Sequence, residues 1–137
     1  MSPITAAIQA RLAGDPTLGG MLAVYNGGPA VFTTPPPGKA ALPFIVTAGD
    51  LNARPFDTKN SRGRELWREV ECYAAANGSA VTVEAMAERV RALLHRAPLA
   101  VDGFGVLLAD CMGPIVVDDG DAYGRVVTVR MIMIEED

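Results

Sequence analysis

The chain has 137 residues, 50% hydrophobic and 20% charged, with a formal net charge of −4 and a pI near 4.9. That length suits one domain, 1–137, burying roughly two-thirds of its unfolded surface, and the acidic balance argues against a nucleic-acid reader, which clusters Lys and Arg against phosphate. No apolar run approaches the ~20 residues that span a bilayer, and Met1-Ser2-Pro3 lacks the basic region and apolar core of an export signal, so a cytosolic product without membrane contact is expected.

In chain order, Ser2 and Pro3 predict the cap and first position of a helix. Ile4, Ile8 and Leu12 share one face, and Gly14-Asp15-Pro16 stops it. A short helical turn is expected within Thr17 to Val24, then a break at Asn26-Gly27-Gly28-Pro29 and a short strand from Ala30 to Thr33. Pro35-Pro36-Pro37-Gly38 reads as a stiff exposed connector. Leu42 to Ala48 is apolar enough for a strand buried on both faces. Gly49 to Gly63 shows no period and is expected as a loop, of a length more often functional or disordered than idle.

Arg64 to Ala97 is the most informative stretch. Leu66, Arg68, Val70, Cys72 and Ala74 alternate with Glu65, Trp67, Glu69, Glu71 and Tyr73, as the two faces of a strand. Asn77-Gly78-Ser79 ends it. Thr82 is the expected N-cap of a helix with Glu84 in its first turn, and Val83, Met86, Ala87, Val90, Leu94 and Ala97 form its apolar stripe. Beyond Pro98 come a weak strand signal at Leu99 to Val101, strands over Gly105 to Met112 and Ile115 to Val117 split by Gly113-Pro114, and an acidic turn. A strong closing strand runs from Arg125 to Glu135, with Val127, Val129, Met131 and Met133 opposite Val126, Thr128, Arg130 and Ile132.

Candidate chemistry is sparse. Cys72 and Cys111 lie in expected strands and read as reduced, buried core thiols. His95, late in the second main helix on its polar side with Arg91 and Arg96, reads as a cation complementing the helix dipole. One His and two distant Cys are too few for zinc. Asp118, Asp119 and Asp121 could hold Ca²⁺ or Mg²⁺, but they lack the distal bidentate Glu of a calcium loop and suit a tight turn. The cluster Arg54, Lys59, Arg62, Arg64 and Arg68 reads as a solvated loop, with a docking patch for an acidic partner as the minority reading. No catalytic residue, metal or cofactor is expected. The second face of the Arg64–Ala74 strand, with Trp67 and Tyr73 among Glu65, Glu69 and Glu71, suits neither solvent nor core and suggests contact with another chain.

Four blocks, in order, resemble the tail-terminator (tail-completion) proteins of long-tailed bacteriophages and gene-transfer particles: IQARLAGDPTLGGML, LPFIVTAGD, RELWREVECYAAANGSAVTVEAMAERVRALLHRAPLAVDGFGV and DDGDAYGRVVTVRMIM. They cover nearly all of Ile4 to Glu135, and their order and spacing carry the match. The segment NGGPAVFTTPPPGKAA is longer and richer in Pro than that pattern. The resemblance implies an α+β domain, a mixed or mostly antiparallel sheet with two main helices packed on one face. It implies a structural virion protein, not an enzyme: a ring of about six copies, closed by heterologous contacts, that caps the tail tube, ends its polymerisation and provides the head-attachment surface. Its partners would be further copies, the tail-tube protein and a head-completion or neck protein, with DNA passing the lumen without sequence-specific binding. Its place would be the tail–neck junction of the virion, and the host cytoplasm during assembly. Arg54, Phe56, Lys59, Arg62, Arg64, Trp67 and Tyr73 are then the candidate residues for contacts between subunits or with the tube. A head-closure or connector ring is the alternative reading, and a small metal- or ligand-binding domain using the Asp118–Asp121 turn is a third.

Overall fold

Ser2 opens the first helix: its Oγ accepts the Thr5 amide at 3.1 Å, and Pro3 fills the first turn of α1 (Pro3–Ala13), where its missing N–H is not needed. The computed structural model describes residues 2–38, 40–97, 99–118 and 120–136, with backbone alone over 48–51. Ile4, Ile8 and Leu12 are buried on one face of α1. Gly14 ends it at a point where a Cβ would meet the Ala10 carbonyl oxygen at 2.8 Å. The stop signal is also a start: the Asp15 carboxylate accepts the Leu18 amide at 2.9 Å and caps α2 (Pro16–Gly19), shorter than the expected turn.

Asn26 and Gly27 have φ of +50° and +81°, the left-handed pair that a two-residue hairpin requires between β1 (Val24–Tyr25) and β2 (Gly28–Pro29). After β3 (Val31–Phe32) come β4 (Phe44–Pro55), β5 (Gly63–Ala75), α3 (Val81–Leu94), β6 (Phe104–Val116) and β7 (Ala122–Glu135). Among the described residues, five strands form one sheet in the order β3-β4-β5-β7-β6. β3 runs parallel to β4 and the other neighbours are antiparallel, so the expected α+β class with a mixed, mostly antiparallel sheet is the one observed.

The expected periodicities settle the inner face. Leu66, Val70, Cys72 and Ala74 of β5 and Val127, Val129, Met131 and Met133 of β7 are buried against Ile4, Ile8 and Leu12 of α1 and Val83, Met86, Val90 and Leu94 of α3. The helices are also tied to one another by charge: Arg89 of α3 donates to both oxygens of Asp15, at the start of α2, at 2.6 and 2.9 Å. Burial pushes the Cys72 thiol up to about 12 and Cys111 up to about 11, so neither is a thiolate near neutral pH.

Several local expectations are corrected. The 49–63 loop is strand as far as Pro55, and only 56–62 is turn; register shifts between Thr47 and Asp50 and between Asp50 and Asn52 erase the alternation that would have revealed it. The cap of α3 is not Thr82: an Asx turn at Asn77–Ser79, with Gly78 at φ +84°, brings the chain into the helix at Val81, whose amide donates to Ser79 Oγ at 3.4 Å. β6 is one strand, bulged rather than split between Met112 and Ile115, with Gly113 at φ +95°. His95 also has a structural use: its Nδ1 accepts the Cys111 amide at 3.0 Å, which ties the end of α3 to β6. The Leu99–Val101 strand shrinks to a bridge between Val101 and Phe104, because the chain leaving α3 lies along β6, with the Arg96 amide donating to the Ala109 carbonyl at 2.7 Å.

Met86 is fully buried between α3 and the sheet. Met86→Ala should cost about 2–5 kcal/mol of stability, while Ser2→Ala should cost about 1 kcal/mol. Equilibrium denaturant unfolding of both variants checks the ranking; equal losses would show that the helix–sheet interface does not dominate stability.

Candidate assembly surface

The helices cover only one face of the sheet, so the outward residues of β4, β5, β7 and β6 form the surface open to partners. Its centre is a buried carboxylate. Glu65, only 2% exposed, lies between Arg54, its register partner on β4, and Arg130 of β7, which is opposite Trp67 and reaches Glu65 diagonally. Arg54 donates through Nε to Oε1 at 2.5 Å, and Arg130 through Nε to Oε2 at 2.7 Å. Burial pushes the Glu65 carboxyl up, but the hydrogen bonds from Arg130 and Arg54 outweigh it and hold the group below its ordinary value of 4.5. The Arg54 guanidinium sits over the Trp67 ring, 5.6 Å from its centroid, within cation–π range. Antiparallel register therefore assembles an Arg–Glu–Arg clamp beside an indole from three strands far apart in sequence.

The other end of the face is aromatic. Tyr25 to Phe32, Phe32 to Phe44 and Phe44 to Tyr73 have ring centroids 5.0, 5.7 and 5.5 Å apart. Tyr73 Oη donates to Glu71 Oε1 at 2.8 Å, which leaves its ring in the row and its hydroxyl satisfied. Pro35 and Pro36 flank Phe44, Val46 and Tyr73, so the Pro-rich connector packs at the edge of this row.

The residues singled out in the sequence are dispersed over this surface. Arg54 and Trp67 come together at the clamp. Tyr73 shares their face but lies about 20 Å away along β5, six residues at ~3.3 Å each. Phe56, Lys59 and Arg62 belong to the exposed 56–62 turn. Arg64 is on the opposite face, in register with Met133, and stacks over Phe104 at 5.2 Å. Arg68, expected in a solvated cluster, is buried on the inner side of β5. Two features escaped the sequence reading. Glu65 is a clamped ion rather than part of an acidic surface, and Arg130 is its partner; the pairing of charged residues across β5 and β7 is visible only once the register is known. An apolar patch at the end of β6 (Met112, Ile115 and Val116, with Val117 beyond it) was read as ordinary strand.

The acidic turn has a structural use. Asp118 Oδ1 accepts the Gly124 amide at 3.2 Å and pairs with Arg125 at 3.1 Å, and Arg125 reaches Glu84 of α3 at 3.6 Å. Asp119 lies outside the described residues. Among the described residues no group of three or more His, Cys, Asp or Glu is placed to hold a metal ion, and no helix is long and apolar enough to cross a membrane.

One sheet shielded on a single face, with polar and aromatic side chains fixed on the other, defines a domain built for association through surfaces. The sequence matches the family described as tail completion protein gp17 over residues 6–134, and the chain belongs to that family. It is a structural component of a bacteriophage-type tail. The fold is similar to that of a chain in the virion of a native gene transfer agent (GTA) particle, with a TM-score of 0.80 and 18% identity over 97% of this chain and 95% of that one. No individually curated protein matches the sequence.

Asp15 and Glu65 set the acid limit of stability. Hydrogen bonding from Arg89 lowers the Asp15 carboxyl against the opposing effect of its burial, as the arginines do for Glu65. Both pKa values are depressed in the folded state, so the stability they contribute is full above the ordinary values of 3.8 and 4.5 and is lost as pH falls through the lower folded values. Asp15→Asn and Glu65→Gln should each lower the melting temperature at neutral pH and flatten its decline below pH 4.5. Melting curves across that range test this; an unchanged acid slope would show that the clamps carry no linkage.

Proposed function

We propose that this tail component closes into a ring, six-membered by the family resemblance, at the end of the tail tube. There it ends tube polymerisation and presents the surface to which the head attaches. Family membership over residues 6–134 carries this reading. A sheet open on one face supports it, because a ring protein must hold different patches ready for its neighbours and for the tube. Arg54 and Trp67, at the clamp, are the anchors proposed for one contact, since Arg and Trp dominate interface energetics. Phe56, Lys59 and Arg62 in the adjoining turn extend it, Tyr73 anchors the aromatic end, and Arg64, on the opposite face, is proposed for a separate contact. The tail-tube protein and a head-completion or neck protein are the proposed partners, at the tail–neck junction of the virion and in the host cytoplasm during assembly. The net charge of −4 suits a lumen that passes DNA without retaining it, since like charges repel.

Trp67→Ala should weaken association with tube ends by about 2 kcal/mol, on the order of 30-fold, as truncation of a hot spot does. Tyr73→Ala should act in the same direction, and neither should lower the melting temperature in proportion. Sedimentation of purified protein with preformed tail tubes, followed by negative-stain imaging of the tube ends, measures this. Loss of folding without specific loss of binding would make the face core, and capture by a portal ring in place of the tube would identify a head-closure component.

A further inference from the structure

The aromatic row is part of a longer apolar belt that crosses the whole sheet. From Tyr25 it runs through Phe32 and Phe44 to Tyr73, which faces Gly124 on β7 in the antiparallel register. Gly124 has no room for a side chain: a Cβ there would meet Val117 Cγ2 at 2.8 Å and Tyr73 at 2.9 Å. Val117, whose amide donates to the Gly124 carbonyl at 3.1 Å, carries the belt on to Ile115 and Met112 on the far edge. Both ends of the belt are left open. On the β3 side Val24 is 76% exposed, and on the β6 side Ile115 is 60% exposed with Met112 and Val116 beside it. The two ends lie at the same end of the sheet but on opposite edges.

Charge and backbone chemistry select the occupant. On the β6 edge Asp110 is paired with Arg96 and Asp118 with Arg125, which leaves Asp102 and Asp121, whereas the β4 edge, with Arg54 held by Glu65, leads at its Pro55 end into Lys59 and Arg62 against Asp57. Two β6 edges facing one another would oppose like charges, while a β6 edge facing the β3–β4 edge of another copy opposes unlike ones. A peptide cannot simply add as a further strand, because Pro114 offers no amide and the bulge at Gly113 bends the edge away. Farther up, the backbone at Ala109 and Cys111 is already engaged by Arg96 and His95. Docking at this edge therefore proceeds through side chains.

We infer that the Met112–Val117 end of β6 seats against the Val24–Tyr25 hairpin of a second copy, head to tail, so that the belts of successive subunits join. This rests on the ring reading and assigns the two edges that close it. The test is light scattering after size exclusion on the wild type, Val24→Asp, Ile115→Asp and an equal mixture of the two variants, alone and with tail-tube subunits. Both positions are solvent-facing, and matching circular dichroism and melting temperature establish that the variants fold; Val24→Ser and Ile115→Thr provide milder replacements should either aspartate disturb the fold. The expected result is an assembled wild type, monomeric single variants and a dimeric mixture, because each variant keeps one intact edge. Variants that assemble like the wild type, or a mixture that stays monomeric, would overturn the edge assignment while the ring stands. A wild type monomeric under every condition would overturn the ring reading itself.

Discussion

One-sided burial of the sheet is the constraint on which this molecule depends. Helices α1 and α3 bury the inner side chains of β5 and β7, where removal of apolar surface from water supplies most of the stabilisation. No third layer of described residues shields the outward side, so polar groups there must find partners within the sheet. Glu65 shows how: a carboxylate 2% exposed is tolerated because two guanidiniums on adjacent strands satisfy it. The clamp also joins β4, β5 and β7 across their faces, and it fixes Arg54 over Trp67. Arg54 itself remains 64% exposed, which leaves a preorganised cation and indole on the open side.

The same constraint governs the charged groups away from the open face. Asp15 pairs with Arg89, and Asp118 and Glu84 pair with Arg125, so these ions serve the fold. The first pair holds α2 to α3, and the Arg125 pairs hold α3 and the β6–β7 turn to the sheet. The chain is thus a tail-completion family member whose sheet keeps one face open.

Much of the fold was legible because it rests on local periodicity. The Ile4-Ile8-Leu12 stripe, the alternation through β5 and β7 and the α3 stripe from Val83 to Leu94 predicted their buried residues, while Ala97 falls past the end of α3, since a period of two or 3.6 is a direct record of which side faces the core only within the element. Legibility failed where geometry departs from the regular repeat. Bulges in β4 hid a strand inside an apparent loop, and the Gly113 bulge made one strand look like two. Thr82 looked like a cap because its hydroxyl is suitable, yet the Asx turn upstream starts the helix sooner.

The sequence by itself determined the regular elements, the inner core and a resemblance that family matching supports, because these follow from patterns along the chain. Tertiary structure alone decided what the outward residues do. Trp67 and Tyr73 alternate identically with carboxylates in the sequence, but strand order gives one an arginine clamp and the other an aromatic row. Arg64 and Arg68, neighbours in a basic cluster on paper, fall on the inner side, and Arg130 joins Glu65 from across the sheet. Which charge meets which ring depends on register between distant segments, and register is fixed by packing of the whole sheet rather than by any local motif.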